Sequence, residues 1–364
     1  MNKLLSIFRD PELAVKLSKK LSDYEGEKVN IMEVCGTHTM CISRYGIRSM
    51  LPESINLISG PGCPVCVTPV YFINSAIELS EEKDIIITTF GDLMKVPGSK
   101  SSLLKEKAKG SDIRIVYSPL DAIKIAEENT NKKVVFLSVG FETTTPVTAL
   151  TVLKAKEGGL KNFFVLSANK TMPSALKALA LDEEVGVQGY LYPGHVSAII
   201  GTKVYEDLAL NYGICGVVTG FEPIDILHGI LTLVSNINKK NKIVVNEYSR
   251  VVTDKGNEEA VKITDQVFWP CDSVWRGIGN LPQSGLNMRE EFKEYDAWKV
   301  FNLNPSHKEE NSGCLCGEIL KGRKKPSDCK LYGKNCVPEN PVGACMVSSE
   351  GTCAAYYRYG GGDK

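Results

Sequence analysis

The sequence predicts an α/β protein with two Rossmann-like lobes built on parallel sheets and a third, mixed domain. Three observations carry this expectation. Short apolar runs rich in β-branched residues recur from residue 28 onward: VNIMEV, INLIS, DIIITTF, IRIVYS, VVFLSV, FFVLS, VQGYLY and GVVTG. Plausible helices fall between them at 69–80, 119–129, 146–157, 172–180 and 223–236. Continuous apolar strands alternating with helices are the pattern of parallel sheets covered on both faces. Finally, SVGFETTTPVTALTVL is echoed by VTGFEPIDILHGILTLV, each reading strand, Gly-Phe-Glu, then helix, as in repeated βα units.

Taken in order, the first 25 residues read as a helix, with Leu13, Val15, Leu17 and Leu21 roughly on one face. Residues 28–118 form lobe I, with CGTHT and CPVC. Residues 119–238 form lobe II, with GFETTTP, PGHVS and GFEP. The third domain combines 1–27 with 239–364. There KIVVNEYSRVV reads as one more strand, and 255–310 as short helical pieces around Trp269, Trp275 and Trp298. A tail of about 50 residues is marginal as an independent fold, but a bound group can organise it.

Bulk composition excludes several functions. Lys+Arg and Asp+Glu both total 43, so no basic excess points to nucleic acid. No apolar stretch approaches the ~18 residues of a membrane span. The start, MNKLLSIFRDPELAVKL, lacks the apolar region and cleavage site of a signal peptide. Twelve cysteines without such a signal imply a reducing, cytoplasmic setting, where a metal or catalytic dithiol role outweighs a disulfide framework. Cys215 and Cys271 each stand alone and are expected to pack, as is Cys41, which sits six residues from Cys35 and keeps a metal or redox role as its alternative.

The remaining cysteines form three groups. The tail carries Cys314, Cys316, Cys329, Cys336, Cys345 and Cys353 as C-x-C-x12-C-x6-C-x8-C-x7-C. Six exceed by two the four that hold a [4Fe–4S] cluster. A structural zinc site favours short C-x2-4-C knuckles, which this tail lacks. Spacing favours the cluster over zinc without choosing the four ligands. Cys63 and Cys66, as CPVC, follow a strand and open a helix, the setting of thiol–disulfide exchange, where a helix N-terminus lowers a thiol pKa. Cys35 and His38, in CGTHT, also follow a strand, and a thiolate and an imidazole three apart can meet one metal or act as nucleophile and base. His195 in PGHVS reads equally as a packed helix-start residue or as a ligand or proton donor. Glu142 and Glu222 read equally as proton-transfer groups or as helix caps. These turns sit just past the carboxyl ends of strands, where parallel sheets bind ligands.

MEVCGTHT, GPGCPVCVTP, GFETTTP, QGYLYPGHVS and DCKLYGKNCVPENPVGACMVSSEGTCAAYY stand in this order along the chain. On these motifs the sequence resembles the hydrogenase maturation factor HypD family over nearly its full length. The resemblance implies a redox-active scaffold for the Fe(CN)2CO group of [NiFe] hydrogenase. The partners implied are the small protein HypC, which shares the iron, HypE, which brings cyanide as a thiocyanate, and the hydrogenase large subunit through HypC. Carried onto this sequence, Cys35 is the thiolate that holds the iron, with His38 close by, and Cys63 and Cys66 are the redox pair of the central cleft. The family's C-x14-C-x6-C-x16-C pattern falls on Cys314, Cys329, Cys336 and Cys353. Cys316 and Cys345 are then a second redox pair beside the cluster, similar to ferredoxin:thioredoxin reductase. Tyr192 stands before PGHVS where relatives often carry Cys. The alternatives are a stand-alone disulfide reductase of that kind and a non-redox, zinc-stabilised binding module.

Overall fold

The computed structural model describes residues 7–304 and 313–360. The first six residues of the expected N-terminal helix, and 305–312 and 361–364 of the expected third domain, lie outside them. Sheet A is wholly parallel, in the order β2-β1-β7-β8-β9: β1 Val29–Glu33, β2 Ile55–Ser59, β7 Gly189–Pro193, β8 Cys215–Thr219 and β9 Val244–Asn246. Sheet B is also parallel, in the order β4-β3-β5-β6: β3 Ile85–Thr89, β4 Ile113–Ile115, β5 Lys133–Ser138 and β6 Phe163–Ser167. The expected helices are present as Val70–Ser80, Pro119–Glu128, Thr145–Glu157, Met172–Ala180 and Pro223–Asn238.

The sheets do not follow the contiguous lobes expected at 28–118 and 119–238. Strands from both segments pair in each sheet, so the chain enters sheet A, builds sheet B and returns. The reason is visible in side-chain alternation. Successive strand residues face opposite ways. In β1, Ile31 joins an outer core while Met32 joins the core between the sheets. In β5, Val134 and Phe136 face outward, and Val135 and Leu137 face that same inner core. The inner core thus holds one face of each sheet together, and also takes in Cys63, Cys66, Cys316 and Cys345.

The segments expected to form a third domain separate in space. The helix Pro11–Ser22 starts on Asp10, whose carboxylate accepts from the Glu12 and Leu13 N–H groups. Leu17 and Leu21, one turn apart, bury against the helix Pro223–Asn238 on the outside of sheet A. Among the described residues of 255–310, the helix Glu258–Val267 and the short helical turns Glu290–Tyr295 and Ala297–Val300, the last carrying Trp298, match the expected helical pieces, whereas Trp269 and Trp275 lie in an antiparallel hairpin of β10 Phe268–Trp275 and β11 Gly279–Met288 that this reading missed. Gly277 and Gly279, at φ +72° and +113°, make the turn. Phe268 and Met288 close the outer face of sheet B. The cysteine-rich tail lies between the lobes, where Trp275 and Leu281 of the hairpin and Ala297 also reach the inner core.

Candidate functional site

Because all strands of a sheet run the same way, the motif turns share one rim. In sheet A the strand order reverses between β1 and β7, the place where parallel sheets open a crevice. Cys35 follows β1 and His195 follows β7, so both flank that crevice. The loop after β2 crosses directly onto Cys35. The Gly36 N–H donates to Gly62 O at 2.9 Å, and a Cβ on Gly62 would lie 2.3 Å from the Cys35 nitrogen. Only glycine permits this approach. It sets CPVC beside CGTHT.

Cys35 is buried, and burial pushes its thiol up to about 12. Nearby Glu33 is fully buried and also pushed up, to about 7, by loss of water, against the pull of Arg48. Its carboxylate accepts from Thr39 Oγ1 at 2.7 Å and the Cys35 N–H at 3.4 Å. His38 Nε2 donates to Gly220 O at 2.8 Å, which leaves Nδ1 the unprotonated nitrogen, buried and without a partner. Burial holds the ring near pKa 4, so it is neutral. Phe221 stacks on His195 at 4.1 Å and packs against His38 at 4.8 Å, joining GFEP, PGHVS and CGTHT in one cluster. His195 is exposed at its edge.

The two Gly-Phe-Glu turns differ. Glu142 is buried beyond β5; Oε1 accepts from the Met172 N–H at 2.8 Å, and Oε2 has no partner. Burial raises its carboxyl to about 7. Tyr205 lies within electrostatic reach of both Glu142 and Cys35. Glu222, by contrast, is engaged by Arg9 Nη2 at 2.7 Å. It serves an ion pair at the surface and not the crevice.

The tail's thiols meet CPVC. Cys63 caps the short helix Pro64–Val67, its sulfur accepting from the Cys66 N–H at 3.4 Å. Cys316 and Cys345 sulfurs are 2.6 Å apart. The Cys66 sulfur stands 4.0 Å from Ala344 O, beside Cys345, and Cys66 and Cys345 lie within electrostatic reach of each other, as do Cys314 and Cys316. A row of sulfur therefore runs Cys63, Cys66, Cys345, Cys316, Cys314. The expected lowering of thiol pKa at CPVC does not extend to Cys66, which burial holds well above its usual value. Four residues of helix do not offset complete desolvation.

Cys314, Cys316, Cys329 and Cys336 all lie within electrostatic reach of Cys353. Among the described residues, no three His, Cys, Asp or Glu side chains converge as they would around a single ion. Two features nevertheless suit a cluster held by Cys314, Cys329, Cys336 and Cys353. The Val342 N–H points at Cys336 Sγ at 3.3 Å, and a Cβ on Gly343 would stand 2.6 Å from Cys314 Sγ. An amide aimed at sulfur and a side-chain-free wall are what thiolate-bound iron needs around it. Cys41 and Cys215 are buried, and Cys271 partly so.

Sequence reasoning missed Glu33, Glu350 and Arg48. Glu33 was visible as a lone carboxylate in an apolar strand. Glu350 gave no such signal: it accepts from Thr37 Oγ1 at 2.6 Å and packs on Gly36, carrying the tail onto Cys35. Ser348 Oγ donates to Asp92 at 2.9 Å on the other lobe, so the tail bridges both.

Comparison with known proteins fits this arrangement. A family model described as HypD, hydrogenase formation hypA family, matches residues 12–360. The chain is 46% identical to the hydrogenase maturation factor HypD of Cupriavidus necator, covering 98% of this chain and 97% of that one. It is 46% identical to HypD2 of Bradyrhizobium diazoefficiens, over 97% and 96%. It is 42% identical to HypD of Escherichia coli K12, again over 97% and 96%.

Proposed function

Since the chain belongs to the HypD family of hydrogenase maturation factors, we propose that it is a cytoplasmic thiol-redox scaffold for the Fe(CN)2CO group of [NiFe] hydrogenase. It works with a HypC-type protein that shares the iron, delivers to the hydrogenase large subunit through it, and takes cyanide from a HypE-type thiocyanate. The observation that carries this reading is the sulfur row ending at the loop that lies on Cys35.

Cys35 holds the substrate iron as a thiolate. Metal binding displaces its proton despite a raised pKa, because the ion replaces the lost hydration. His38 keeps Nδ1 free of protons at neutral pH and within the same cluster of motifs. Moving cyanide from a thiocyanate to iron requires two electrons: the S–C bond breaks, sulfur leaves as thiol, and cyanide leaves as an anion. The Cys63/Cys66 dithiol supplies both electrons, becomes a disulfide and releases two protons. Glu142, with one free carboxylate oxygen and a pKa of about 7, can pass one of them on. Cys345 then attacks Cys66, and exchange leaves a Cys316–Cys345 disulfide. Cys314, Cys329, Cys336 and Cys353 would hold the [4Fe–4S] cluster, whose chemistry there is one-electron storage and delivery.

A stand-alone disulfide reductase needs neither Cys35 nor His38. Cys35→Ala, purified without oxygen, is expected to keep its brown colour and labile sulfide while losing the cargo iron and maturation activity. Unchanged cargo iron in that variant overturns the scaffold reading, and a colourless wild-type protein overturns the cluster.

A further inference from the structure

The outer edge of sheet A faces the tail across a groove. Strand β2 pairs with β1 alone. The Val29 N–H donates to Ser54 O and the Gly60 N–H to Glu33 O, so the even-numbered residues of β2 direct their backbone groups at β1. Alternate residues of a parallel ladder point the other way. The N–H and C=O groups of Leu57 and Ser59 therefore face outward, and no backbone group of the described residues bonds to them. The tail segment 322–328 runs beside this edge. A Cβ on Gly322 would collide with Ile58, yet no backbone hydrogen bond joins the segment to β2. Between them lies a cavity of about 610 Å³, lined on one side by Asn56, Leu57, Ile58 and Ser59. A row of unpaired strand N–H and C=O groups is a template for another extended chain.

The opposite wall carries Arg323, Lys324 and Lys325 against one acid, Asp328. The chain as a whole balances its two signs at 43 each, so this wall is locally basic. Arg323 is held by Asp182 and Glu184, both at 2.9 Å, which fixes the wall in place. Lys324 and Lys325 are exposed, and no carboxylate of the described residues pairs with Lys324. A small anion would engage the lysines and leave the strand edge unused. A neutral strand would do the reverse. We propose that the groove takes an extended, acidic segment of a partner protein, which adds to sheet A as a strand beside β2. Main-chain bonds supply affinity in such an addition, and alternate side chains supply selectivity. Four strand residues span about 13 Å, which is the stretch of β2 that lines the cavity. The floor links the occupant to the Cys35 rim. Ser59 and Tyr356 both line the groove and both meet Arg48, whose Nη2 donates to Ser59 Oγ at 2.8 Å and whose guanidinium lies 4.9 Å from the Tyr356 ring. Beyond Ser59 the chain passes directly into the Gly60–Gly62 loop that lies on Cys35.

The test uses the full-length protein, purified without oxygen. The probe is a fluorescein-labelled peptide of Glu-Val repeats, read by fluorescence polarisation, with a Lys-Val peptide of the same length as control. The acidic peptide is expected to bind saturably and the basic one not to bind. Hydrogen exchange of the segment 55–60 should slow when the acidic peptide is present, because the outward N–H groups of Leu57 and Ser59 gain acceptors. The fully N-methylated acidic peptide keeps its charge and loses every N–H, and is expected to bind about tenfold more weakly. The charge-reversed variant Lys324→Glu/Lys325→Glu is expected to lose about tenfold in affinity for the acidic peptide. If that variant does not fold, Lys324→Glu alone reads the same contact, with a loss of about threefold. No saturable binding, or unchanged exchange at 55–60, overturns the inference. Equal binding of the methylated peptide, or displacement by inorganic phosphate at matched charge, assigns the groove to simple anions and overturns strand addition. Folded charge-reversed variants with wild-type affinity overturn the charge match. Each of these results leaves Cys35 and the tail cysteines untouched, so the scaffold reading stands or falls separately.

Discussion

Cys345 sits between two other cysteines, its sulfur 2.6 Å from Cys316 and its thiol within electrostatic reach of Cys66, whose own sulfur stands 4.0 Å from Ala344 O. Attack on a disulfide needs sulfur in line with sulfur, so a cysteine with two such neighbours can exchange with either. Mild oxidation is therefore expected to yield a Cys316–Cys345 linked peptide on non-reducing mass mapping. In Cys316→Ser, Cys345 loses that partner and a Cys66–Cys345 peptide replaces it. The four expected cluster cysteines are untouched, so iron and sulfide stay near wild type while maturation falls at least tenfold. Random pairing of tail cysteines in the wild type would count against the relay.

Glu142 ties pH to stability. Its carboxyl is raised from 4.5 to about 7 by burial. The folded state then keeps a proton that the unfolded chain has released, so stability is full below about pH 4.5, declines as pH rises through about 7, and levels off beyond. The loss is at most about 3 kcal/mol from one group. Glu142→Gln removes this group's share of the dependence and leaves that of Glu33, which is raised to about 7 as well. Urea unfolding at pH 5 and pH 8 is expected to show the variant gaining on the wild type at the higher pH. An equal gap at both values would mean that the carboxyl titrates normally.

Sequence alone made the strands, their parallel sense and the rim legible, because apolar β-branched runs and Gly-rich turns are local signals. Which strands share a sheet was not. Pairing β1 with β7 depends on which of two faces, Ile31 or Met32, meets the other lobe, and both faces are apolar. The hairpin at Phe268–Met288 escaped because Pro270, Gly279, Pro282 and Gly285 interrupt its pattern. The cysteine motifs announced themselves, whereas Glu350 acts through a long-range contact with Thr37 that leaves no periodic trace.

Arg48 is the cation that faces the buried Glu33. Its Nη2 donates to Ser59 Oγ at 2.8 Å and lies 3.9 Å from Glu33, and its guanidinium covers the Tyr356 ring at 4.9 Å. Removing it leaves Glu33 sealed under the Cys35 loop without a cation. Arg48→Met is expected to cost about 3 kcal/mol in chemical denaturation. Adding Glu33→Gln should recover more than half of that loss, because the penalty comes from the stranded carboxylate. Additive effects of the two changes would show that the residues do not interact.

The junction of the CGTHT and GPGCPVC loops offers the sharpest steric test. Gly62 has room for hydrogen only: a Cβ would stand 2.3 Å from the Cys35 nitrogen and 2.4 Å from its Cα. Both obstacles are backbone, so no rotamer relieves them, and the strand-end loop has to move. That movement breaks the Gly36 N–H bond to Gly62 O and carries Cys35 away from Cys63. Gly62→Ala should therefore cost about 3 kcal/mol, and whatever protein folds should hold less cargo iron than wild type even though every sulfur remains. Gly158→Ala provides the contrast, at a helix end where the new carbon meets only Lys154 O at 3.3 Å and Ala155 O at 3.9 Å. It is expected to stay within about 0.5 kcal/mol of wild type. If Gly62→Ala matches that control in both melting and iron content, the contact between the two loops does not position Cys35.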